Sequence, residues 1–189
     1  MPVQIGAKSH SFSEPTGLLS DCHRRIESFL RALQAVAVVV HRDPSQETVT
    51  GLETALRYFR EAAPKHTADE EDSLFPRMRA LASPEAEAVF RHLSSLEEDH
   101  RRADSLHVEV EMLGQEYISG GALSAEKAAR FREAVAALQR IYEQHIKLED
   151  ELVFPLAKKL LPVAEKSTIA GEMAARRQLK ITSLDRPSW

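Results

Sequence analysis

Apolar residues recur along the chain at intervals of three and four, with charged residues between them, which is the period of an α-helix buried on one face. The first stripe, Leu19, His23, Ile26, Leu30, Leu33, Ala37 and Val40, predicts a helix from about Thr16 to His41. The second, Leu52, Leu56, Phe59, Ala63, His66 and Glu70, follows Asp43-Pro44, read as an N-cap and a proline at the first helical position. Pro64 lies inside this stripe and predicts a kink without an end. A third helix opens at Ser83-Pro84, carries Val89, Leu93, Leu96, His100, Ala103, His107 and Val110 on one face, and stops at Ser119-Gly120-Gly121. The fourth is capped by Ser124 and carries Phe131, Val135, Leu138, Tyr142, His145, Glu149, Leu152 and Leu156. Beyond Leu161-Pro162 a short fifth helix covers Val163 to Leu179, and the last ten residues read as a tail.

The connections between the long helices are short, so consecutive helices are expected to be antiparallel neighbours. The fold class is therefore all-α: an up-down-up-down four-helix bundle over residues 14–162, preceded by an extension at 1–13 and followed by a short helix and tail at 163–189. In that topology, counting at about 1.5 Å per residue from each helix end brings His23, His66, His100 and His145 to one layer.

Those four histidines belong to a duplication. His66-x-x-x-Glu70 is followed by Leu74-Phe75-Pro76, and His145-x-x-x-Glu149, 79 residues later, by Val153-Phe154-Pro155. Upstream, Asp21-Cys22-His23-Arg24-Arg25 matches Glu98-Asp99-His100-Arg101-Arg102. On a helix an i, i+4 pair shares one face, so each His-x-x-x-Glu can aim a nitrogen and a carboxylate at one point. All six residues continue apolar stripes, where a carboxylate without a partner costs several kcal/mol and a metal ion supplies that partner. Any one of these histidines alone reads best as a hydrogen-bonded core residue. Six of them at one level, in duplicate, read as the parts of a two-metal site.

Composition removes other classes. A net charge of −4 and a pI near 6.1, with no basic run beyond an arginine pair, argue against nucleic acid as a partner. Cys22 is the single cysteine, which excludes an intrachain disulfide and suits a reducing compartment. No signal pattern and no membrane-length apolar run is evident, so the expectation is a cytoplasmic protein without a membrane partner.

With its H…HxxxE…H…HxxxE pattern complete and an LFP-type tripeptide after each HxxxE, the chain resembles the hemerythrin-like HHE cation-binding family over about residues 14 to 162. The resemblance implies two iron ions, oxo- or hydroxo-bridged, with His23, His66, His100 and His145 as terminal ligands and Glu70 and Glu149 as bridges. Oxygen-carrying hemerythrins use a fifth histidine on the third helix and a bridging aspartate. Here the positions a turn from His100 are Leu96 and Asp104, which resembles the bacterial HHE branch. The function implied is a non-haem di-iron protein that binds or senses oxygen or nitric oxide, or holds iron. Its alternative is a di-iron enzyme acting on peroxide or nitric oxide, or donating iron for iron-sulfur cluster repair.

Around the ligands, Glu27 and Asp104 each follow an upstream histidine by four residues and are candidates to orient its ring. Tyr142, one turn before His145, is a candidate hydrogen-bond donor to a bound molecule. His107 lies roughly 10 Å beyond His100 along the helix and reads as a hydrogen-bonded core residue. Cys22 points away from His23, and His10, His41 and His92 read as surface residues.

Overall fold

The elements follow the stripes. In the computed structural model, which describes residues 10–179, they are α1 (Pro15–Val39), α2 (Gln46–Glu61), α3 (Ala63–Ala68), a π-helical turn at Asp69–Leu74, α4 (Phe75–Arg79), α5 (Pro84–Gly120), α6 (Ala125–Leu148), a second π-helical turn at Glu149–Val153, α7 (Phe154–Leu160) and α8 (Val163–Arg176). No strand occurs among the described residues, and no described helix is long and apolar enough to cross a membrane. The fold is the all-α helical bundle that the stripes predict. The expected tail after Leu179 and the first nine residues of the N-terminal extension lie outside the described residues.

Capping decides where the helices begin. Asp43 was the expected cap of α2, but Ser45 takes that role, its hydroxyl accepting from the Thr48 N–H at 3.1 Å. Asp43 instead accepts from the Ala122 N–H at 3.1 Å, closing the loop after α5. That loop turns at Gly121, whose φ of 82° and whose missing Cβ, which would sit 2.8 Å from Asp43 Oδ1, both require glycine. Ser83 and Ser124 cap α5 and α6 as expected, accepting from Ala86 and Lys127 N–H groups. Pro64 does more than kink its helix. It has no N–H to return to Arg60, and the ladder breaks at Ala62, between α2 and α3.

The π turns have a local cause. In each, the N–H of the following phenylalanine reaches back five residues, Phe75 to Glu70 O and Phe154 to Glu149 O. Pro76 and Pro155 come next, and a proline ring in a helix crowds the carbonyl four residues before it, here Asp72 and Glu151, inside the widened turns. The repeated Phe-Pro dipeptide is thus the sequence origin of both turns.

Two compact units share the chain. The first combines residues up to Arg25 with Pro64–Glu97 and the segment from Ile146, and its core includes Leu19, Leu74, Phe75, Leu93, Phe154 and, from α8, Ile169 and Met173. Phe12, within the expected N-terminal extension, is buried in the same core. The second unit, Ile26–Ala63 with Glu98–His145, buries Ile26, Leu33, Leu52, Leu113, Phe131 and Leu138. Each such side chain removed from water contributes roughly 1.5–3 kcal/mol.

Candidate metal centre

In the first unit, α1 supplies His23, α3 supplies His66, and the two π turns supply Glu70 and Glu149. All four are buried, three of them completely, and one ligand atom from each lies within 4.8 Å of the others. His23 Nε2 is 3.1 Å from Glu149 Oε2 and 3.8 Å from Glu70 Oε1, while His66 Nε2 is 3.1 Å from Glu70 Oε1. The two imidazoles meet edge to face at 4.9 Å, and Phe154, fixed by the second π turn, stacks on His23 at 5.2 Å. Widening a helix by one residue re-aims its side chains, so the carboxylates reach this point from π turns and not from regular α-helix.

Two imidazole nitrogens and two carboxylates converging in a dry interior form a donor set that suits iron, manganese or zinc. Asp150, beside Glu149, touches the far side of the His23 ring. Its Oδ1 lies 3.0 Å from His23 Nδ1 and accepts from Ser20 at 2.8 Å, and its Oδ2 accepts from Arg24 at 2.5 Å. This contact leaves Nε2 as the nitrogen facing the carboxylates. Burial alone would pull His23 below its usual pKa, but hydrogen bonds to Asp150, Glu149 and Glu70 outweigh it and hold the ring well above that value. Burial likewise pushes Asp150 up, and its bonds to His23 and Ser20 with the Arg24 charge bring it net below the usual carboxylate range.

Beside Glu70, the first residue of the first π turn, Asp69, is fully buried and accepts from Arg176 at 3.0 Å and Arg177 at 2.6 Å, both near the end of α8. Burial raises its pKa, offset only in part by the two guanidiniums.

In the second unit, α5 and α6 bring His100 and His145 together, both buried, with ring centroids 4.6 Å apart. Asp99 Oδ2 stands 3.9 Å from His145 Nδ1, an ion-pair distance, and this neighbour is the main reason that Asp99 titrates below its usual value. Asp99 also lines an open groove of about 590 Å³ with Arg102, Ser105, Arg140, Ile141 and Gln144.

The structure thus places the six expected ligands in two groups: His23, His66, Glu70 and Glu149 in one unit, and His100 with His145 in the other. Asp150 contacts His23 and Asp99 approaches His145, two contacts that the motif spacing does not single out, while Asp104 is exposed. The Tyr142 hydroxyl lies 3.0 Å from His107 Nε2, and its ring stands 6.4 Å from that of His145. His107, expected as a hydrogen-bonded core residue, is hydrogen-bonded but half-buried; it stacks on Phe59 at 4.4 Å, and burial lowers its pKa to about 4. Cys22 is buried and accepts from Arg25 at 2.8 Å. His10, expected at the surface, is tied to Asp21, whose carboxylate accepts from its backbone N–H at 2.9 Å and lies 3.1 Å from Nδ1.

Two comparisons bear on this site. The model of the hemerythrin HHE cation binding domain matches residues 14–157, a span that contains all six expected ligands. A relative from Haemophilus influenzae, named only as an uncharacterized protein, is 27% identical over 172 residues, covering 90% of this chain and 94% of the relative.

Proposed function

The chain belongs to the hemerythrin HHE cation-binding domain family, and from that premise we propose that it is a non-haem di-iron protein that binds or senses oxygen or nitric oxide, or holds iron. The observation that carries the reading is the convergence of His23, His66, Glu70 and Glu149 on one buried point. These four would hold metal in the first unit, and His100 and His145 would be the further ligands that the family pattern calls for.

When bound, such an iron pair supplies reversible or slow redox chemistry toward small diatomic molecules. The chain's own contribution is to place and protect that chemistry. Asp150 fixes the His23 ring so that Nε2 faces the site, and Phe154 covers one face of the ring. The fully buried Leu19, Leu74 and Phe75 share the first unit's core with Phe154 and help to make that unit's interior dry, favouring small, weakly polar ligands.

Metal analysis of the purified protein, with an optical spectrum under air, tests the cofactor assignment; the expected result is two irons per chain and the near-ultraviolet absorption of paired ferric ions. Stopped-flow mixing of the anaerobic iron(II) protein with oxygen and with nitric oxide then tests the ligand assignment. If neither gas perturbs the spectrum and the protein instead turns over peroxide at ordinary enzymatic rates of roughly 1 to 1000 per second, the binding reading gives way to the enzymatic one.

A further inference from the structure

We propose that α8 is a positioning element for the metal centre, with Asp69 as its point of attachment: Arg176 and Arg177 hold Asp69, and through it the π turn that presents Glu70. The inference rests on the metal-binding reading above and adds to it a helix outside the duplicated two-helix unit.

The two π turns are anchored differently. The second is tied to α1, where Asp150 meets Ser20, His23 and Arg24. The first is tied to α8 at both ends. At its start, fully buried Asp69 accepts from Arg176 and Arg177. Near its end, the Ser73 carbonyl accepts from Arg77 at 2.8 Å, and Arg77 in turn donates to Glu165 at 2.7 Å and Glu172 at 2.8 Å, both on α8.

Arg177, the residue that closes α8, is itself constrained. Arg177 spends one guanidinium nitrogen on the Met173 carbonyl at 2.8 Å and another on Asp69. The helix closes immediately afterwards in a Schellman motif, with Gln178 N–H on Ala175 O and Leu179 N–H on Ala174 O, both at 2.9 Å. Gln178 takes the left-handed conformation this requires, at φ 56°. A buried carboxylate held by two guanidiniums, one of them fixed by its own helix end, leaves its turn little freedom, and Glu70 is the next residue. The proposed ligand and its anchor are therefore set by one rigid contact.

The experiment uses Co(II) as the probe in the full-length chain, because its visible bands report coordination geometry as well as occupancy. Arg176→Gln with Arg177→Gln, and separately Asp69→Asn, are expected to weaken Co(II) binding by roughly ten- to hundredfold, the scale on which groups behind metal ligands act, and to alter the band shape. Arg176→Lys with Arg177→Lys should restore part of the loss. Met173→Ala, which removes core packing from α8 and leaves Asp69 and its partners unchanged, should lower the melting temperature while preserving affinity and spectrum. If the double glutamine variant does not fold, the near-isosteric Asp69→Asn carries the test. Wild-type binding with unchanged binding in these variants, or an equal loss in Met173→Ala, overturns the inference alone. A wild-type chain that binds no Co(II) removes the metal reading and this inference together.

Discussion

Asp150 lies 3.0 Å from Nδ1 of His23, and the opposite nitrogen of that ring lies 3.1 Å from Glu149, the residue immediately before Asp150. One π turn thus supplies both a candidate ligand and the acceptor that orients the neighbouring histidine. Asp150→Asn keeps the shape and removes the charge, so metal affinity is expected to fall roughly ten- to hundredfold. The same geometry sets a pH dependence. His23 is held well above its usual pKa in the metal-free chain, so a cation must displace its proton, and binding should release protons and strengthen as pH rises through neutrality. Isothermal titration in two buffers of different ionisation enthalpy measures both effects; zero proton release contradicts the argument.

A π turn is an α-helix with one residue added, and the added residue can be taken out again. Deleting Asp72, whose side chain is 68% exposed, should let Asp69–Leu74 relax to α-helical bonding with the flanking helices still in phase. Glu70 then loses its present aim. Far-ultraviolet circular dichroism should remain unchanged while metal affinity drops by at least roughly tenfold. Undiminished binding in a folded deletion variant would show that the widened turn does not set the ligand.

The four-helix pattern and the pairing of His66 with Glu70 were legible because stripes and i, i+4 spacing are local properties, readable without knowing any partner. Asp150, Asp99 and Asp69 were not legible. Each is a charged residue beside a motif, indistinguishable by sequence from a solvated helix acid, and each is defined by a partner distant in the chain or on another helix: His23 for Asp150, His145 for Asp99 and the α8 arginines for Asp69. The π turns differ: their cause, Phe-Pro after each HxxxE, is local in the sequence, yet the repeat alone does not reveal a change from α- to π-helical bonding. At Asp43 and Ser45 two competent caps stood side by side, and the need of the Ala122 N–H for an acceptor decided which one was free to cap α2.

His107 gives a stability prediction independent of metal. It titrates at about 4 in the native protein and near 6.5 when unfolded. Between those values the unfolded chain binds a proton that the native chain does not, so stability falls as pH drops from 6.5 toward 4 and the His107 contribution changes no further below that. The ceiling is about 3 kcal/mol. Replacing His107 with Gln retains a partner for Tyr142 and cannot titrate. Urea unfolding at pH 7 and pH 4.5 should show wild type losing about 2 kcal/mol more than the variant, and equal losses in the two proteins would remove His107 as the cause.

Glu70 and Glu149 pose the opposite problem, because two fully buried carboxylates with ligand atoms within 4.8 Å of each other repel when no cation lies between them. His23, which faces both acids, and His66, which faces Glu70, relieve that repulsion only in part, because neither takes the place of a cation held between the two carboxylates. Function and stability are therefore expected to diverge at these positions. Glu70→Gln or Glu149→Gln should raise the melting temperature of the metal-free protein, by removing a buried charge at nearly constant shape. The same variants should lose most of the temperature increase that saturating iron(II) or Co(II) gives the wild type, an increase that mass action makes depend on metal concentration relative to affinity. Differential scanning calorimetry of each protein with chelator and with excess metal separates the two terms. A glutamine variant destabilised without metal yet stabilised by metal as much as wild type would mean that the carboxylates serve packing and not ligation.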